Sequence, residues 1–129
     1  MARSYHVDIA RHATGADSKW VDNLLSHFQI PGVEGGRQGS PRRISEDGIV
    51  HIALIRELTG AFGLPLPRAV PIAERLLAAE SATVVFGDCI AVHVERVAFK
   101  QRVGALIADA VESVVPVPRG RPRSSPKRP

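Results

Sequence analysis

Apolar residues recur at helical spacing along most of the chain. Ile9, Ala10 and Ala13 form a short stripe that predicts a first helix from about Val7 to Ala13. Trp20, Val21, Leu24, Leu25 and Phe28 keep the same period and predict a second helix from about Ser18 to Phe28. Its polar remainder is Lys19, Asp22, Asn23, Ser26 and His27. Thr14-Gly15-Ala16-Asp17 between them reads as a tight turn. Gly15 accepts left-handed backbone without steric cost, and the Asp17 carboxylate can cap the helix that follows.

Residues 31–43 interrupt the helical pattern with Pro31-Gly32, Gly35-Gly36, Gly39 and Pro41, and carry Arg37, Arg42 and Arg43. A short irregular hairpin is expected there. Ser45 then caps a third helix over about Glu46 to Ala61, with Ile49, Ile52, Ala53, Leu54 and Leu58 as its buried face and Glu46 and Asp47 in the acid-favouring first turn. A break at Gly60 to Pro67 precedes a fourth helix, about Pro67 to Glu80, in which Pro71 removes one backbone bond. Thr83 to Phe86 and Cys89 to Val94 alternate as two strands around a two-residue Gly87-Asp88 turn, with Ile90, Val92 and Val94 on one face. A last helix, about Val97 to Val114, presents Val97, Val103, Leu106, Ile107, Ala110, Val111 and Val114. From Pro116 the chain is Pro-, Arg- and Ser-rich and is expected to be disordered on its own.

The expected fold is therefore mainly α with small β elements. Four helices and a hairpin occupy residues 5–80. A β-hairpin and a C-terminal helix over 81–115 complete the core or form a dimer interface, and a basic tail covers 116–129.

With 129 residues, 44% of them hydrophobic, the chain can bury one modest core. The net charge of +4 is unevenly placed: +2 over residues 1–44, −3 over 45–115 and +5 over 116–129. Charge localised in this way points to an acidic partner, with nucleic acid or an anionic membrane surface as the candidates. A single cysteine, Cys89, excludes an internal disulfide and a Cys-based zinc finger, and is expected to be buried and inert. No apolar run approaches the roughly 20 residues that span a bilayer, and Met1 to Ala10 lacks the apolar region of a secretory signal.

Helix, Gly turn, helix is the pattern whose second helix can enter a DNA major groove. The ordered set here resembles the MerR-type winged-helix family over roughly Tyr5 to Glu80. The resemblance is carried by Ile9-Ala10 with Thr14-Gly15, by Arg42-Arg43-Ile44-Ser45-Glu46-Asp47, by Ile55-Arg56-Glu57-Leu58, by Gly63-Leu64-Pro65-Leu66 and by the run to Leu76-Leu77. It implies a winged helix-turn-helix head of four helices plus a wing hairpin, with DNA contacts from the second helix and the wing. Lys19 falls where a basic residue often opens the recognition helix, Arg42 and Arg43 on the returning wing strand, and Arg37 near the wing tip. Where the family commonly has Arg-Tyr-Tyr, this chain has Asp22-Asn23-Leu24. Asp22 would repel phosphate, whereas Asn23 can pair with adenine. The long dimerisation helix and effector region of familiar members are not evident after Glu80.

In the tail, Pro118-Arg119-Gly120-Arg121-Pro122 resembles the AT-hook, a minor-groove binder. Gly120 lets the backbone approach the groove floor, while Arg119 and Arg121 extend along a narrow A·T-rich groove of enhanced negative potential. The flanking prolines hold the strand extended. Arg123, Lys127 and Arg128 add phosphate contacts; five engaged cations would give a log–log salt slope of roughly −4 to −5.

Other chemistries find little support. Gly35-Gly36-Arg37-Gln38-Gly39 lacks the context and the Lys-Ser/Thr ending of a P-loop. His6, His12, His27, His51 and His93 form no ligand motif, and no nucleophile elbow is present. The expectation is a non-enzymatic, sequence-specific transcriptional regulator of double-stranded DNA, acting as a homodimer in the cytoplasm at the bacterial nucleoid. No cofactor, membrane partner or small-molecule effector is expected. The alternatives are an architectural DNA-binding protein, in nucleoid organisation, partition or excision, and a protein-interaction module such as an antitoxin.

Overall fold

The computed structural model describes residues 3–36, 41–78, 83–86 and 88–113. The first two helices are short, α1 (Val7–Thr14) and α2 (Ser18–His27). Their ends are fixed by the residues in the connecting turn. Gly15 closes α1 in left-handed backbone, and Asp17 accepts from the Trp20 amide at 2.8 Å to open α2. The start of α1 is capped by a residue the periodicity does not single out: His6, whose Nδ1 accepts from the Asp8 amide at 3.1 Å.

A three-residue strand, β1 (Ser4–His6), precedes α1 and pairs antiparallel with β3 (Arg43–Ser45), with Tyr5 opposite Ile44. On its other side β3 pairs with β2 (Val33–Glu34), giving a three-stranded sheet in the order β1-β3-β2. The hairpin expected over 31–43 is thus the larger part of a sheet that the N-terminal strand completes. The sheet is locked to the next helix, α3 (Glu46–Ala61), by a close approach of two glycines. Gly32 has φ +88°, and its carbonyl accepts from the Ser45 amide at 2.9 Å. A Cβ on Gly32 would lie 2.6 Å from the Gly48 nitrogen, inside the first turn of α3. The Ser45 hydroxyl caps that turn by accepting from the Gly48 amide at 3.1 Å, as its position predicts.

Helix α3 is the centre of the core. Val50 and Ile55 are buried along with Ile49, Ile52, Leu54 and Leu58, so apolar side chains surround the helix rather than lining one face. It packs against α1, α4 (Leu66–Ala78) and α5 (Arg96–Ser113). Helix α4 runs through Pro71, whose ring is exposed. Two strands, β4 (Thr83–Phe86) and β5 (Ile90–His93), form an antiparallel hairpin.

Residues 83–113 share the core of the first half. Val84, Val103, Ile107 and Ala110 are buried in one cluster with Ile9, Ala10, Ile52 and Leu58, and α5 lies mainly along α1. Several local expectations need correction. Phe86 pairs with Ile90, where β5 begins, so Cys89 belongs to the connection between the strands rather than to the second strand. Cys89 sits in that connection and is exposed rather than buried. Ile90 and Val97 are also exposed. No described helix is long and apolar enough to cross a membrane. The tail at 116–129 lies outside the described residues.

Candidate nucleic-acid interface

Helix α2 is anchored from below. Val21 and Leu24 are fully buried, and the half-buried Trp20 ring carries the Arg56 guanidinium of α3 at 5.1 Å from its centroid. Leu25 and Phe28 pack against the same core. The helix period then turns Ser18, Lys19, Asp22, Asn23, Ser26 and His27 outward, and all six are exposed. Lys19 and Asn23 lie one turn apart on this face. Lys19 makes no ion pair among the described residues.

Arg42 is placed quite differently from a freely projecting cation. It donates from Nη1 to Asp22 Oδ1 at 2.9 Å and from Nη2 to Ser26 Oγ at 3.2 Å, so its guanidinium lies along one turn of α2. Its side chain is only 20% exposed, against 70% for Asp22. Gly36 makes room for it: a Cβ there would stand 2.8 Å from Arg42 Cγ. The carboxylate that should repel phosphate is therefore neutralised by the arginine twenty positions on, and the segment entering β3 is tied to α2.

A cleft of about 440 Å³ opens on one side of Arg42, lined by Val7, Asp8, Arg11, Lys19 and Asp22 among others. Arg42 also lines a second groove, of about 940 Å³, between the end of α2 and Gly35-Gly36. Lys19 and Arg42 thus share a cleft, joined by Arg11 of α1, which sequence periodicity gives no reason to select. Arg11 is 3.6 Å from Asp8. Asn23 is exposed beyond the cleft's rim. Arg43 departs from Arg42: it stands exposed between His6 and Glu34 in the sheet register, while Ile44 turns inward. Arg42 lies just before the strand and turns to α2, whereas Arg43 and Ile44 alternate along it. Arg37, Arg119, Gly120, Arg121 and Arg123 lie outside the described residues.

Away from this surface, Thr83, His93 and Glu95 form a hydrogen-bonded chain. The Glu95 carboxylate accepts from His93 Nε2 at 2.9 Å, and the ring's Nδ1 is 2.9 Å from Thr83 Oγ1. It ties β4, β5 and the approach to α5 together at the surface. Among the described residues no group of three His, Cys, Asp or Glu side chains is placed to hold a metal ion. Comparison of the chain with protein-family models, with curated proteins and with solved structures gave no match.

Proposed function

We propose that the protein is a sequence-specific DNA-binding regulator with a winged helix-turn-helix head. In this reading α2 enters the major groove, the β2–β3 excursion lies as a wing against the sugar-phosphate backbone, and Arg119-Gly120-Arg121 follows an adjoining A·T-rich minor groove. The observation that carries it is the exposed polar face of α2. Lys19 and Asn23 project from a short helix whose opposite face packs on the core through the buried Val21 and Leu24, beside a cleft that also holds Arg11 and Arg42. Such an element is rigid and presents both a cation for phosphate and an amide for base edges. The acidic middle of the chain and the +5 tail separate the charge, so attraction to DNA concentrates at the tail and the α2 face. Pairing of two chains about a two-fold axis would set two such helices on successive groove faces.

An architectural role uses the same surfaces without a discrete site, and the tail's A·T preference is what favours it. Titration of random and A·T-rich duplexes with the full chain and with a chain lacking residues 116–129 tests both readings. The regulator retains selective binding without its tail, with a flatter salt slope. An architectural protein loses most of its affinity with the tail. Absence of duplex binding by the full chain at low salt would remove both.

A further inference from the structure

We propose that Asp22 is a base-reading residue of α2 that selects cytosine, held in its reading orientation by Arg42; this rests on the DNA-binding role proposed above. A lone carboxylate on a helix face turned toward DNA would oppose binding. Here the ion pair at 2.9 Å cancels its charge. Arg42 engages only Oδ1, and no donor among the described residues reaches Oδ2. The Asp22 side chain is 70% exposed, on the helix face that also carries Lys19 and Ser26, so its second oxygen is accessible. Arg42 is fixed in turn, by its second bond to Ser26 Oγ and by Gly36 along its stem. The carboxylate is thus both neutralised and oriented, the two conditions a carboxylate needs to read a base beside phosphates.

The chemistry of the major groove then names the base. An ionised carboxylate only accepts hydrogen bonds. Guanine offers two acceptors there, and thymine an acceptor and a methyl group. Adenine places its N6 donor beside the N7 acceptor, which would face a carboxylate oxygen. Cytosine offers the N4 donor with no acceptor next to it on its own edge, so it is the base that Oδ2 accepts from without opposition.

Selection of duplexes from a random pool by the full chain, and by its Asp22→Asn variant, tests the assignment. Asp22 is exposed and its exchange for Asn preserves shape, so the variant folds; its circular dichroism melt verifies this. The wild-type pool should fix a cytosine at one position, preferred over other bases by roughly 5- to 150-fold, the usual range for one mismatched base pair. The variant should trade that cytosine for adenine, because an Asn amide pairs with N6 and N7. A variant that binds every duplex more tightly with an unchanged preference would overturn the proposal and leave Asp22 as a charge on Arg42 alone. A wild-type site without a selected cytosine overturns it as well. Failure of the wild-type chain to retain any duplex would instead strike the DNA-binding role itself, and the base assignment with it.

Discussion

Arg42 reaches from the segment entering β3 to α2 and bonds Asp22 and Ser26 one helical turn apart, at 2.9 and 3.2 Å. The pair fixes how the sheet segment sits against the exposed face of α2. Because Asp22 is largely exposed, its contribution to stability is small. A double-mutant cycle of Asp22→Ala and Arg42→Ala, followed by urea unfolding, should give a coupling energy of about 0.2–1 kcal/mol. The coupling should shrink in 1 M salt, where the screening length falls to about 3 Å. Arg42→Ala alone should cost more than Asp22→Ala, since the arginine stem also packs against Gly36.

Two glycines of α3's surroundings should respond in opposite directions to the same substitution. Gly32 has φ +88°, and its added Cβ would meet the Gly48 backbone at 2.6 Å. Gly32→Ala should therefore lose about 2–4 kcal/mol, from left-handed strain and from overpacking against backbone that has no room to shift. Gly60 lies within α3 with nothing near the position of its Cβ. Gly60→Ala should gain up to about 1 kcal/mol through helix propensity. Chemical denaturation of the two variants gives both values on one scale.

Much of this fold is written in local signals. Gly15, Asp17 and Ser45 sit at helix boundaries because their chemistry suits caps, and the structure uses each of them so. The extent of α3 follows from its apolar run. What escaped local signals depends on partners far along the chain. Strand β1 has three residues and only one half-buried side chain, Tyr5, so it exists through its pairing with β3 about forty positions later. The encirclement of α3 is visible only once α1, α4 and α5 are in place around it. The same holds for the candidate site. Lys19 and Asn23 are exposed as the helical period requires, but Arg42 and Asp22, read separately as a DNA contact and a repulsive charge, turn out to be each other's partner. No local pattern brings together two side chains on different elements.

Lys19 has no ion-pair partner among the described residues, so its charge is available to phosphate. Lys19→Ala should weaken binding by a similar factor on every duplex and lower the salt slope by about 1, without altering the selected sequence. Asn23→Ala should instead relax the preference at one base pair and leave the salt slope unchanged. Fluorescence anisotropy titrations at several salt concentrations distinguish these two signatures.

The central claim is that the exposed face of α2 is where this chain meets DNA. Amide chemical-shift mapping by NMR, on titration with a selected duplex, tests it most directly. The account predicts that the shifts concentrate on Ser18–His27 and on Arg42 and Arg43, together with the tail. Shifts gathered instead around Phe62 and the start of α5, with those of α2 unmoved, would contradict it.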